Sequence, residues 1–236
     1  MCFVLYRITW QIDKKLEGNT LLCLIPDIQS QSGWSVYLGG FVLAGGESRR
    51  MGRPKAALLL EGETLLDRQI RLLRSVARRV AVVGGSPGSA KDPDVSLVPD
   101  RVEGRGPLGG IYTALLETRM EFNLILGCDL PFVNRRLLAW LARCAIASGS
   151  DVTVPRSRDG RLQTMCAVYR RRALYAVRTS LAAGDTKLRS FFPRVRCTVI
   201  PWSDLARAGF RPPIFDNLNT MEDYEDARKR LEGPAG

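Results

Sequence analysis

From residue 37 onward the chain alternates short apolar runs with stretches whose apolar positions recur every three or four residues. Tyr37 to Leu43 is an apolar run of strand length that stops at Gly45-Gly46. Leu65, Leu66, Ile70, Leu73 and Val76 then fall on one face of a 3.6-residue period, which predicts a helix over 65–77. The same reading predicts strands at 80–83, 96–99, 123–126, 151–155, 165–169 and 198–200. It predicts helices at 108–118, 137–147, 173–182 and 220–231. Strands that alternate with helices imply a largely parallel sheet, because each parallel crossover carries a helix back across a sheet face. The expected fold is therefore α/β: three layers, α/β/α, around a mostly parallel Rossmann-like sheet.

This pattern spans 39–232. Residues 1–38 show no sustained period and no motif, only an apolar patch from Leu21 to Ile25 and a polar stretch from Gln29 to Gly33. They are expected to be a dispensable, poorly ordered extension, with an internal start near Val36 or Leu38 as one explanation. The competing expectation is that Cys2 to Trp10 adds an edge strand or that Leu21 to Ile25 docks on a groove. Residues 233–236, Gly-Pro-Ala-Gly, read as a frayed tail.

Composition narrows the chemistry. The 236 residues are enough for one substantial core, and 45% hydrophobic with 25% charged residues is an ordinary globular balance. The formal charge of +11 suits a polyphosphate ligand, nucleic acid or a phosphate-bearing membrane surface. Yet the basic residues are scattered, in groups no denser than Arg170-Arg171-Arg172, and no aromatic-interleaved basic stripe marks a nucleic-acid footprint. Histidine is absent, which removes His-ligated zinc, Ser-His-Asp triads and imidazole acid–base catalysis together. Six cysteines without a C-x-x-C pair point to reduced thiols and a cytoplasmic setting. No apolar run approaches the ~20 residues of a membrane span, and Met1 to Trp10 lacks the features of a signal peptide.

The candidate chemistry sits at the ends of the predicted strands, where ligands of open α/β sheets bind. Leu43-Ala44-Gly45-Gly46-Glu47-Ser48-Arg49-Arg50-Met51-Gly52-Arg53-Pro54-Lys55 runs from a strand into two glycines, a basic loop and a lysine. Glycines let main-chain N–H groups approach a phosphate, and the arginines with Lys55 supply cations for a triphosphate. The string is neither a Walker A loop nor G-x-G-x-x-G. Asp100 follows the strand at 96–99, and Asp129 follows the strand at 123–126 within Gly-Cys-Asp-Leu-Pro. Either carboxylate suits Mg²⁺, which takes one or two protein carboxylates plus substrate phosphates. The alternative for both is a solvated or capping aspartate.

The thirteen-residue string, together with Gly62-Glu63-Thr64-Leu65-Leu66, resembles the signature of the molybdenum cofactor nucleotidyltransferases, within the GT-A-type (nucleotide-diphospho-sugar transferase) superfamily. Gly104-Arg105-Gly106-Pro107-Leu108-Gly109-Gly110 after Asp100 is similar to the guanylyltransferase branch. The likeness covers roughly 39–231. It implies GTP contacts from Leu43, Ala44, Gly45, Gly46, Lys55, Asp100 and Asp129, with Mg²⁺ on Asp129. It also implies a contact at Gly84, where the family often has Asn, so that glycine offers backbone alone. Catalysis would rest on Lys55, Arg49 or Arg50, and Asp129.

Phe215-Asp216-Asn217-Leu218-Asn219-Thr220 is similar to the family's F-x-N-x-N-T-P-E-D, with Met221 in place of Pro. That makes Asn217 and Asn219 further candidates beside the metal and the pterin, although helix capping by Asn219 or Thr220 explains the same residues. Gln163-Thr164-Met165 stands where relatives carry H/Q-P-L, and Lys187 with Arg189 falls in a loosely matching stretch.

The resemblance implies transfer of GMP from GTP to the phosphate of molybdopterin, with release of pyrophosphate. It suggests a molybdenum-insertion protein or an apo-molybdoenzyme as protein partner, and neither nucleic acid nor membrane. The open alternatives are a different base or acceptor (CTP, a sugar phosphate, cobinamide phosphate) and a non-catalytic nucleotide-binding regulator.

Overall fold

The computed structural model describes residues 38–45, 55–85, 88–102, 104–185 and 187–232. The expectations for the N-terminal extension, for Gly46, Arg49, Arg50 and Arg53 of the basic loop, and for the tail fall outside the described residues, Leu38 excepted.

In chain order the elements are β1 (Leu38–Leu43), a 3₁₀ turn (Lys55–Ala57), a small hairpin of β2 (Leu59–Leu60) and β3 (Glu63–Thr64), α1 (Leu65–Arg74), β4 (Arg79–Val83) and β5 (Ser96–Val98). Next come α2 (Gly106–Glu117), β6 (Phe122–Gly127), α3 (Arg135–Ser148), β7 (Val152–Pro155), β8 (Cys166–Arg170) and α4 (Leu174–Ala182). The described chain closes with β9 (Cys197–Ile200), α5 (Trp202–Arg207) and α6 (Met221–Glu232). The main sheet has seven strands in the order β5-β4-β1-β6-β8-β7-β9. β8 runs antiparallel to β6 and β7, and the remaining described pairs are parallel.

β1 and β6 lie centrally, and every residue of both is buried. Coverage on both faces is why they read as continuous apolar runs instead of alternating ones. On one face α1 and α3 press Leu66, Ile70, Leu73, Leu137 and Leu141 into a core with Val42, Leu124 and Leu126. On the other, α2 and α4 bring Ile111, Leu115 and Val177 against Phe41, Leu43 and Ile125. These are the three layers expected from the sequence.

Local chemistry fixes the helix ends. Glu61 and Gly62 both have positive φ, 52° and 77°, so the two-residue turn between β2 and β3 is of the primed kind that matches strand twist. Thr64 then caps α1 by accepting the Asp67 N–H at 3.0 Å. The predicted helix over 65–77 stops early, at Arg74. The Ser75 hydroxyl donates to the Leu72 carbonyl at 2.6 Å, and Ala77 closes the last turn on Leu73. α3 ends at Gly149, in the left-handed region at φ 57°. The Gly149 carbonyl accepts from Arg170, Arg172 and Arg196 at 2.9, 3.1 and 2.9 Å. Arg170 and Arg172 of the densest basic run therefore bind the negative end of α3, with Glu121 and Asp151 as ion-pair partners. Among the described residues no helix is long and apolar enough to cross a membrane.

Candidate active site

From β1 the chain crosses over to β4 and then β5 on one side, and returns to place β6 on the other side of β1. The strand order thus reverses between β1 and β6, and a crevice opens above their carboxyl ends. Leu43 pairs with Gly127. Ala44-Gly45 and Cys128-Asp129 therefore leave the sheet side by side, one strand spacing of about 4.8 Å apart.

On the β1 side the backbone is tightly seated. The Ala44 N–H donates to the Val83 carbonyl and the Gly84 N–H to the Val98 carbonyl, both at 3.0 Å. Gly84 has φ 76°, and a Cβ there would stand 2.9 Å from the Gly45 Cα. Gly84 presents only backbone and serves as the seat of the glycine loop. The Leu43 side chain is core. A Cβ at Gly110 would stand 3.0 Å from Leu43 Cδ1, so Gly110 lets α2 settle onto β1. Gly109 is equally constrained, since its Cβ would meet the Val102 carbonyl at 2.8 Å. The Gly-Pro-Leu-Gly-Gly string is thus explained at both inner glycines by close packing.

Asp100 uses one oxygen to build the loop before α2. Its Oδ1 accepts the Val102 N–H at 3.1 Å and the Thr113 hydroxyl at 2.9 Å. It lies two residues past β5, and β5 is three strands from β6. That is about 14 Å at the backbone. Asp100 and Asp129 therefore flank the crevice from its two sides and do not form one ligand set.

Asp129 is held from several directions. A Cβ at Gly127 would stand 2.7 Å from Asp129 Oδ1, so a glycine is required for the carboxyl to fold back over the strand end. The Asp129 carbonyl accepts the Leu218 N–H at 2.9 Å. From α1, Gln69 Nε2 donates to the Leu130 carbonyl at 2.9 Å and Arg68 Nε to the Pro131 carbonyl at 3.2 Å. Burial raises the carboxyl of Asp129 above the usual range, and the charge of Lys55 pulls it back. Burial, with Asp129 beside it, pushes the Cys128 thiol up to about 12. It is therefore a protonated neighbour and not a base.

Lys55 opens the 3₁₀ turn, and its Nζ donates to Asn219 Oδ1 at 3.4 Å. The Asn219 and Thr220 N–H groups both donate to Asp223 Oδ2 at 2.8 Å, and the Asp223 N–H donates to Thr220 Oγ1 at 3.1 Å. This is a reciprocal capping box at the start of α6. The N–H groups of Asn219 first, then Thr220, hold the Asp223 carboxyl below the usual range. So the capping reading of the segment holds, and the same geometry places Asn219 against Lys55.

Beside Asp129 lies a cavity of about 550 Å³, lined by Gln163, Thr164 and Met165 just before β8 and by Phe215, Asn217 and Asn219 opposite. Arg158 and Arg230 also reach it. Arg230 is ion-paired with Asp216 at 3.0 Å. The Tyr169 hydroxyl donates to the Thr164 carbonyl at 2.8 Å and fixes the Gln163–Met165 segment. Lys187 does not line this cavity.

Sequence reasoning missed Gln69 and Arg68, and took Asp223 only as a first-turn acid of the capped helix. Gln69 carried a readable signal, since it interrupts the apolar stripe of the 65–77 helix at a core-facing position and is 0% exposed. Asp223 was legible as the acid of a T-x-x-D cap; its link to Lys55 was not.

No group of three or more acidic or cysteine side chains able to hold a metal exists among the described residues. The single half-buried Asp129 fits a Mg²⁺ shared with substrate phosphates, and a cation would relieve the burial penalty on its charge.

Comparison with known proteins shows the family and the fold. The MobA-like NTP transferase domain family matches residues 40–198. A probable molybdenum cofactor guanylyltransferase of Pelotomaculum thermopropionicum is 34% identical over 193 residues, covering 82% of this chain and 93% of that protein. Among solved structures, molybdopterin-guanine dinucleotide biosynthesis protein A from Archaeoglobus fulgidus superposes with a TM-score of 0.70 at 21% identity, over 82% of this chain and 98% of its own. The 2-C-methyl-D-erythritol 4-phosphate cytidylyltransferase of Thermus thermophilus superposes with a TM-score of 0.59 at 17% identity, over 82% of this chain and 98% of its own. The fold is thus shared across enzymes that use different bases.

Proposed function

Because the chain belongs to the family of MobA-like NTP transferases, we propose that it transfers GMP from GTP to the phosphate of molybdopterin, with or without bound molybdenum. Pyrophosphate is released and the guanine dinucleotide cofactor is formed. The observation that carries this reading is the meeting of two half-sites at Asp129 and Lys55. The glycine seat of β1, β4 and β5 lies on one side, and the 550 Å³ cavity on the other.

GTP lies across the ends of β5, β4 and β1. Backbone groups of Ala44, Gly45 and Gly84 face its phosphates, and Asp100 marks the far edge. Molybdopterin enters the cavity between the Gln163–Met165 segment and Asn217–Asn219. An oxygen of its phosphate forms a bond to the α-phosphorus of GTP, and the bond from that phosphorus to the bridging oxygen of the β-phosphate breaks. The acceptor oxygen is already ionised, so no proton has to be removed. This agrees with a chain that holds no histidine and whose Cys128 thiol stays protonated. Rate then comes from placing two anions in line and offsetting their charge.

Lys55 offsets charge on the departing pyrophosphate, assisted by Arg49 or Arg50 of the basic loop. Asp129 would hold a Mg²⁺ ion, which would supply charge neutralisation to the phosphate oxygens. Gln69 and Arg68 hold the Asp129 turn still while charge is redistributed. The reaction is placed in the cytoplasm, with a molybdenum-insertion protein or an apo-molybdoenzyme as recipient of the product.

The choice of guanine rests on the relatives, since the fold also serves cytidylyltransferases. Titration of the protein with GTP and with CTP in the presence of Mg²⁺ tests it. The expected result is at least about tenfold tighter GTP binding, a difference of about 1.4 kcal/mol. Equal or tighter CTP binding would overturn the guanylyl reading.

A further inference from the structure

We infer that Asp223 is a positioning residue for the transfer step: through the backbone of Asn219 it sets the direction in which Lys55 points. This rests on the reading of the site as a nucleotidyltransferase centre. Lys55 and Asn219 are 164 residues apart in sequence and meet through Nζ and Oδ1. An amide side chain aims its oxygen only as well as its own backbone is held. The Asn219 backbone is held by a single oxygen, Asp223 Oδ2, which accepts the N–H groups of Asn219 and Thr220 together. The neighbouring Leu218 N–H is bonded to the Asp129 carbonyl. Three consecutive main-chain N–H groups thus tie one short loop to Asp129 at one end and to Asp223 at the other.

The first turn of α6 is anchored by a second contact as well. The Tyr224 hydroxyl donates to the Leu59 carbonyl at 2.6 Å, which fixes α6 against the segment that follows Lys55. Asp223 and Lys55 therefore belong to two elements whose spacing is already set. What Asp223 adds is the orientation of Asn219 between them.

A helix cap alone would predict a different result from a positioning role, because the box has two halves. Thr220→Ala removes the hydroxyl that takes the Asp223 N–H and leaves Asp223 bonded to Asn219. Asp223→Ala removes the acceptor of the Asn219 N–H. Both variants lose half of the cap and are expected to lower Tm by a similar few degrees. The inference predicts that Asp223→Ala lowers kcat on the order of ten- to a hundredfold, the scale of a catalytic group displaced by about 1 Å. KM for the nucleotide stays within about threefold, and Thr220→Ala keeps near wild-type kcat. Asp223→Asn, which retains an oxygen in the place of Oδ2, restores kcat to within about threefold. In a Lys55→Ala background the Asp223→Ala change has little further effect, because its influence passes through Lys55.

Equal kcat values for Asp223→Ala and Thr220→Ala would overturn the inference. So would a loss that appears wholly in KM, or full additivity with Lys55→Ala. The series is run with whichever nucleoside triphosphate the wild-type enzyme consumes. A base other than guanine then refutes the guanylyl reading and leaves the Asp223 comparison decisive.

Discussion

Gly84 and Gly45 meet backbone to backbone, with a Cβ on Gly84 destined to stand 2.9 Å from the Gly45 Cα and 3.0 Å from its N. Two constraints act at once, the positive φ of 76° and the lack of space. An asparagine tolerates the first but not the second. Gly84→Ala and Gly84→Asn are both expected to push the glycine loop off its seat. The KM for GTP should rise at least about fivefold, and Tm should fall by a few degrees, as expected for about 1–3 kcal/mol of backbone strain. Steady-state kinetics and thermal melts check this. A wild-type KM in Gly84→Asn would show that the seat tolerates a side chain and that the glycine has no part in nucleotide binding.

Asp129→Asn is expected to inactivate the enzyme and, without metal, to stabilise it. Burial raises the folded-state pKa of Asp129 above its unfolded value. The folded protein therefore binds that proton more tightly than the unfolded chain does, and stability falls as pH rises from about 4 through the raised value. Above the raised value the penalty is fully present, and asparagine removes it. The gain should shrink as pH falls below the carboxylate range. Mg²⁺ should raise Tm for the wild type and not for the variant. Thermal melts at pH 7 with and without Mg²⁺ decide. A less stable variant without metal would contradict the burial penalty, and an equal Mg²⁺ response in both proteins would remove Asp129 as the metal's carboxylate.

Much of the fold was legible because β1 and β6 are buried on both faces and α1 carries a clean 3.6-residue stripe. Less legible were elements too short to show a period. The hairpin Leu59–Thr64 and the six-residue α5 were not expected at all. Helix ends moved where side chains intervened, as Ser75 does at the end of α1. At the site, motif strings named the residues but not their geometry. Nothing in the string around Asp100 shows that Thr113 consumes one of its oxygens, because that contact depends on where α2 packs. Nothing around Lys55 shows that it reaches Asn219, a contact made only once α6 has returned to the hairpin. Arg170-Arg171-Arg172 stood out only as the densest basic run, and nothing in the string shows that its residues bind the carbonyls of Gly149 and Thr118.

Gln69→Leu tests the support behind Asp129. The substitution keeps the apolar stripe of α1 and removes the donor to the Leu130 carbonyl. The Leu130 carbonyl then keeps only the long bond from the Val133 N–H at 3.4 Å, and loss of the shorter one costs about 0.5–1.5 kcal/mol. Tm should fall by several degrees, and the Mg²⁺ concentration for half-maximal rate should rise. An unchanged Mg²⁺ requirement would mean that the turn keeps its shape without Gln69.

Lys55→Ala is expected to lower turnover on the order of a hundredfold, the usual consequence of removing one charge-stabilising donor. Circular dichroism should remain that of the wild type, since Lys55 is only partly buried and lines no hydrophobic cluster. Activity within about threefold of wild type would be too small a loss for a transition-state contact.

The central claim is tested most directly by product analysis. The purified protein is incubated with molybdopterin, Mg²⁺ and each of GTP, CTP, ATP and UTP in turn. Pyrophosphate is quantified and the pterin product identified by mass spectrometry. The account predicts molybdopterin guanine dinucleotide and an equimolar amount of pyrophosphate with GTP, and pyrophosphate release that depends on molybdopterin. Preferential formation of the cytosine dinucleotide, or pyrophosphate release from GTP that ignores molybdopterin, would contradict it.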